Sequence, residues 1–152
     1  MATILQQQKK LEKLSPKVTI ENIFQALKHA EKLVLDINKS QLSDGDNSLG
    51  DNVGTYHPDT QAYYDADSIN RVTKSSGDPY NFDWSGSFFD GFELSVQGIE
   101  ATISSTGVGS GGKKKFLTTN NLFGLQEDNL KTIIKQEILP FMHKIARETL
   151  GI

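Results

Sequence analysis

The side chains best placed to do chemistry in this 152-residue chain lie in one acidic stretch. Asp44-Gly45-Asp46-Asn47-Ser48-Leu49-Gly50-Asp51 is followed by Asp59, Asp65, Asp67 and Asp78. Spaced carboxylates suggest a calcium loop, which needs oxygen ligands at positions one, three and five, glycine at six and glutamate at twelve. Counted from Asp44, the sixth residue is Leu49 and the twelfth is Thr55, so the pattern fails at both. A turn built from Asp, Asn and Gly is expected instead, with a fortuitous cation site as the alternative. A divalent-metal hydrolase is the least implausible enzyme that these carboxylates would support.

The remaining reactive groups are sparse. His57 stands beside Pro58 and Asp59, but a catalytic dyad also needs a nucleophile and a pocket. It reads as a surface-turn residue. His29 and His143 fall in helical segments, and the three histidines have no metal-ligand spacing. The absence of cysteine excludes disulfides, thiolate metal sites and cysteine nucleophiles. Gly107, Gly109 and Gly112 fit a dinucleotide fingerprint on paper, and Gly107, Gly112 and Lys113 fit most of a P-loop. Both motifs deliver phosphate to a helix N-terminus. Here Lys115-Phe116-Leu117-Thr118-Thr119 is a poor helix start, and Lys114 stands where magnesium needs Ser or Thr. A flexible basic tongue over 107–115 is the expected structure. No catalytic, cofactor-binding or metal-ligating residue is assigned, and no cofactor is expected.

The elements that must carry these residues read as one α+β domain. Residues 3–14 suggest a short helix with a thin apolar stripe, or an arm (about 1–15) docked on a neighbour; Ser15-Pro16 ends it. With Thr19 as N-cap, Ile20, Ile23, Phe24, Leu27, Ala30, Val34 and Ile37 follow helical spacing over about residues 19–42. Residues 44–81 form a long irregular segment holding Tyr56, Tyr63 and Tyr64; loops of this length are usually functional or ordered from outside. Alternating apolar residues from Phe82 to Ile103 predict a central antiparallel hairpin over about 82–105. A turn at Gln97-Gly98 would pair Val96 with Ile99, Leu94 with Ala101 and Phe92 with Ile103. A last helix spans about 127–150, with Leu130, Ile133, Ile134, Ile138, Phe141, Ile145 and Ala146 as its apolar face. Pro140 should kink or split it near Leu139. Helices flanking a hairpin give an α+β layer architecture.

Hydrophobic content of 36%, charged content of 23% and 13 glycines make a lean core, which hints at surface buried only in an assembly. The net charge of −3 predicts no general attraction to nucleic acid. The first ten residues lack the apolar core of a signal peptide, and no apolar run approaches the ~20 residues of a membrane span.

Three pieces resemble a known family. They are Gln41-Leu42-Ser43-Asp44-Gly45-Asp46-Asn47-Ser48-Leu49-Gly50 with Gly54-Thr55-Tyr56-His57-Pro58-Asp59-Thr60; Trp84-Ser85-Gly86-Ser87-Phe88-Phe89-Asp90-Gly91-Phe92; and Leu122-Phe123-Gly124-Leu125-Gln126-Glu127-Asp128-Asn129-Leu130. In this order and spacing they resemble the small neck and tail-completion (head–tail joining) proteins of tailed bacteriophages, including crAss-like phages. That family often carries a Thr-Gly-x-Leu/Phe-x-x-Ser-Ile/Phe stretch entering its sheet. Here Ser85 stands for the threonine, Gly86 and Phe88 match, Gly91 replaces the serine and Phe92 matches. The resemblance implies a non-enzymatic virion protein in a ring of roughly six or twelve copies between portal and tail. Its partners would be itself, the portal and adjacent neck or tail proteins, with no membrane and no specific nucleic-acid binding, although DNA would pass through the ring. Residues 44–80 and 107–115 are expected to contact neighbours, with Tyr56, Tyr63, Tyr64, Gly107, Gly109, Gly112, Lys113, Lys114 and Lys115 as candidates. A small monomeric adaptor is the alternative.

Overall fold

Proline at the first turn of a helix costs nothing, because its missing N–H has no partner there. The first long helix therefore starts at Pro16. Ser15 is its N-cap and Thr19 lies inside it, donating from Oγ1 to the Leu14 carbonyl at 3.3 Å. The computed structural model describes residues 4–57, 75–80, 82, 87–108 and 121–151. Helix α1 covers Ile4–Glu12, α2 Pro16–His29 and α3 Glu31–Ser43. The helix expected over 19–42 is thus a pair, bent at Ala30 (φ −86°, ψ 12°). The bend keeps its hydrogen bonds, since the Ala30 amide donates to Ala26 and the Val34 amide to Ala30. Ala26, Ala30 and Val34 are all buried, so the bend lies against the core.

The expected hairpin is present but shorter and shifted. Strand β1 is Phe92–Gln97 and β2 is Glu100–Ser105, paired antiparallel. Val96 faces Ala101, Leu94 faces Ile103 and Phe92 faces Ser105, so the turn is Gly98-Ile99 and not Gln97-Gly98. The shift is by two residues, which preserves the faces. Phe92, Leu94, Val96, Ala101 and Ile103 still share one side. Gly98 has φ +61° and Ile99 does not, which is the II′ turn that suits the twist of a two-residue hairpin. Ile99 leaves the pairing and is exposed at the tip.

Upstream of β1 the described residues of the alternation do not form a strand. Ser87–Asp90 is one helical turn, α4, and Phe82 has φ +56°. Phe88 and Phe92 are four apart, a spacing that fits a helix as well as a strand. Their rings meet edge to face at 5.0 Å and 86°.

The last helix contains α5, Glu127–Ile133, a π turn, Ile134–Ile138, and α6, Leu139–Leu150. The Leu139 amide donates to the Ile134 carbonyl, five residues back. The break expected near Leu139 therefore takes the form of one wide turn just before Pro140, and the chain stays helical through it. The widening also answers a packing need. Ile133 and Ile138 are both buried, five residues apart, and only an i, i+5 turn puts that spacing on one face. Meanwhile Leu130 and Ile134 rotate outward and are exposed.

Two cores result. Ala26, Ala30, Val34, Leu94, Ile133 and Ile138 join α2, α3, β1 and the last helix. Leu42, Phe88, Phe92 and Leu122 form the second, where α3 ends. Helix α1 packs on α6 of its own chain, and Lys10 Nζ donates to the Leu150 carbonyl at 2.8 Å. A cation at that position favourably meets the negative end of the α6 dipole.

Candidate functional site

A hydrogen-bonded polar junction lies at the end of α3. Asn38 and Gln41 lie three residues apart, hence on one face of the helix. Both are buried in line with Val34 and Leu42. Asn38 Nδ2 donates to the Leu122 carbonyl at 3.1 Å and the Gly124 carbonyl at 2.7 Å. Gln41 Nε2 donates to Gly124 at 3.3 Å, while its Oε1 accepts from the Gln126 amide at 3.0 Å and from Asn129 Nδ2 at 3.1 Å. Two side chains thus replace water for a run of backbone that would otherwise be buried unpaired. They also fix where the last helix begins, because Gln126 is its N-cap.

The acidic turn completes the junction. Asn47 Oδ1 accepts from the amides of Leu49 and Asp51 at 2.9 and 3.0 Å, closing an Asx-type turn. The Ser48 amide donates to the Asn121 carbonyl at 2.8 Å. The expected Asp/Asn/Gly turn is therefore present and sutured to the irregular segment 121–126. Asp44 and Asp46 line a polar cleft of about 290 Å³ with Ser40, Gln41, Gln126 and Asn129. Among the described residues no group of three or more His, Asp or Glu is placed to hold a metal ion.

Aromatic rings close the other side. Phe92 meets Phe89 edge to face at 5.6 Å and lies 5.7 Å from Phe123, while Phe88 lies 5.8 Å from Phe82. Lys39 Nζ sits 5.7 Å from the centre of the Phe92 ring, a cation–π contact. Beside them an apolar cleft of about 380 Å³ opens between Leu27, Leu94, Ile103, Phe123, Leu125 and Leu130.

Of the nine candidate neighbour-contact residues, Tyr56 and Gly107 are described. The Tyr56 ring stands edge-on to Tyr80 at 4.9 Å and 86°, and its backbone pairs with Gly77 and Asp78. It is half-buried against its own chain. Gly107 belongs to a 3₁₀ turn, Thr106–Val108, that crosses the α4 turn. A Cβ there would overlap the Ser87 carbonyl, so glycine is needed for the close approach. Ser105 Oγ links the two turns, donating to the Phe88 carbonyl at 2.6 Å and accepting from the Gly107 amide at 3.0 Å. Tyr63, Tyr64, Gly109, Gly112, Lys113, Lys114 and Lys115 lie outside the described residues. His29 packs its ring 6.2 Å from Phe141.

Sequence reasoning gave Asn38 no place and quoted Gln41 only within a resembling segment, with no hydrogen-bonding role for either. An apolar template skips polar residues, yet the two occupy the next places in the series Ala26, Ala30, Val34. That continuation was the available signal.

Lys131, on the surface of α5, is held above its ordinary pKa by the hydrogen bonds it donates to Glu127 and then to Asp128. Their carboxylates lie 2.8 and 3.2 Å from Nζ. No described helix is long and apolar enough to cross a membrane.

No protein-family model matches this sequence, and neither a curated protein nor a solved structure is significantly similar to it. Function therefore has to be argued from the junction and the surface.

Proposed function

We propose that this chain is a structural subunit of a tailed-bacteriophage neck, one copy in a ring between portal and tail. The observation that carries the reading is the convergence of the three resembling segments. Gln41 to Asn47, Phe88 to Phe92 and Leu122 to Asn129 are dispersed in sequence. They meet at one junction through Gln41, Gln126 and the Phe88–Phe92–Phe123 rings. Such segments would mark a shared fold nucleus rather than a reaction centre. The chemistry of the junction suits that role, because its side chains are amides and aromatic rings that position backbone.

The surface supports an assembling subunit. Leu5, Leu11, Leu49 and Ile99 are each at least 60% exposed, and they lie on α1, the acidic turn and the hairpin tip. Apolar side chains displayed on several elements offer the two different faces that a closed ring requires.

The test is to mix the purified chain with portal rings of the same phage and measure the complex by native mass spectrometry. The reading predicts a stoichiometric complex of roughly six or twelve copies on one portal. A chain that does not bind the portal at micromolar concentration overturns it.

A further inference from the structure

The two ends of the last helix lie among residues of opposite charge. The last helix leaves the junction at Gln126 and reaches Leu150, about 24 residues at 1.5 Å each, or roughly 36 Å. Gln41 holds its N-cap and Lys10 holds its last carbonyl, so the two lie at opposite ends of this helix.

At the α1 end, Lys9, Lys10, Lys13 and Lys17 join Lys144 and Arg147 of α6, opposed by Glu12 and Glu148. At the junction end, Asp44, Asp46, Asp51, Asp90, Glu93, Glu127 and Asp128 gather, opposed by Lys39 and Lys131. Both of those lysines are engaged locally, one over Phe92 and one between Glu127 and Asp128. Each end also displays apolar side chains. Leu5 and Leu11 lie beside the lysines of α1, and Leu49 lies between Asp46 and Asp51 in the turn.

We propose that the basic α1–α6 end of one copy docks on the acidic junction end of a second copy, with Leu5, Leu11 and Leu49 in the contact. A second copy is the occupant because one chain supplies both halves of the complementary pair. Their separation prevents the halves from meeting within a single molecule. A contact between two different patches repeats, and it closes into a ring or continues as a filament. Closure into a ring rests on the neck reading above; the end-to-end contact does not.

Charge reversal tests it in the purified full-length chain. Lys9→Glu with Lys13→Glu cancels the net charge of the basic end, and Asp44→Lys with Asp51→Lys leaves the junction end nearly neutral. All four residues are exposed, and their side chains carry no contact described above. Sedimentation velocity at about 0.1 M salt should show concentration-dependent association of the parent chain. It should weaken towards 1 M, where the screening length falls to about 3 Å. Each double variant alone should associate on the order of tenfold more weakly, because one partner of the attraction is neutralised. An equimolar mixture of the two should recover association, a result that misfolding of either variant cannot produce. Association unchanged by either reversal, or a mixture no better than its parts, overturns the proposal. So does a parent chain that remains monomeric while its basic end binds duplex DNA in a salt-dependent way. End-to-end association without portal binding leaves this contact standing and removes the neck reading. Portal binding by a strictly monomeric chain does the reverse.

Discussion

The backbone amide of Gln126 donates to Oε1 of Gln41 across 3.0 Å, although the two residues are 85 apart in sequence. That bond sets the start of the last helix against the end of α3. The same oxygen also accepts from Asn129, so one buried side chain satisfies two donors of the last helix's first turn.

Replacing Gln41 with leucine keeps the volume and removes every one of these bonds. The Gln126 amide and the Asn129 amide group are then left without their acceptor, and the Gly124 carbonyl loses one of its donors. A loss of about 2–4 kcal/mol is expected. Urea unfolding measures it, and a loss under about 0.5 kcal/mol would mean that the junction is dispensable.

Asn38 tests burial and charge together. Its Nδ2 is committed to two carbonyls, and its Oδ1 has no partner among the described residues. In Asn38→Asp the buried carboxyl resists ionisation, so its folded pKa rises above the unfolded value of about 3.9. The sign follows from linkage. Relative to the parent, the variant is most stable below about pH 4, where the acid is protonated in both states. It loses stability as pH rises through the folded pKa. Parallel urea titrations of variant and parent at acidic and neutral pH check this, and a pH-independent difference contradicts it.

The π turn is a one-residue insertion. Deleting the exposed Gln136 would leave Ile133 and Ile138 four apart, still on one face of a regular α-helix. Pro140 would then sit in a regular helix interior, at a cost of about 3 kcal/mol. The deletion alone is therefore expected to destabilise by about that amount. The deletion combined with Pro140→Ala should recover most of it. Thermal unfolding followed by circular dichroism reads both; failure of the second change to restore stability counts against this account of the turn.

Two glycines should behave differently. Gly107→Ala forces a Cβ onto the Ser87 carbonyl and should cost about 3 kcal/mol or more, because backbone must move. Gly98→Ala meets nothing within 4 Å and pays only for its positive φ, about 1–2 kcal/mol. Melting temperatures of the two variants give the order directly, and equal losses would contradict the close crossing at Gly107.

Much of the fold was legible because its strongest signals are periodic. The stripe Leu27, Ala30, Val34 gave the helix, and the alternation Phe92, Leu94, Val96 gave the hairpin faces. The strand register was displaced by two because a shift of two preserves every face, so hydrophobic pattern alone cannot decide it. Phe88 misled because four is a multiple of two, and a helical turn and a strand both align it with Phe92. Pro140 announced an irregularity, but its form depends on where Ile133 and Ile138 must point, which is a tertiary demand. The junction was illegible for a different reason. Asn38 and Gln41 act on carbonyls and amides more than eighty residues away, and backbone groups leave no mark in a sequence.

Quantitative mass spectrometry of purified phage particles tests the neck assignment most directly. The account predicts this chain in the particle at roughly six or twelve copies, in fixed ratio to the portal protein. Its absence from intact particles, with the chain present only in the infected cell, would contradict the assignment.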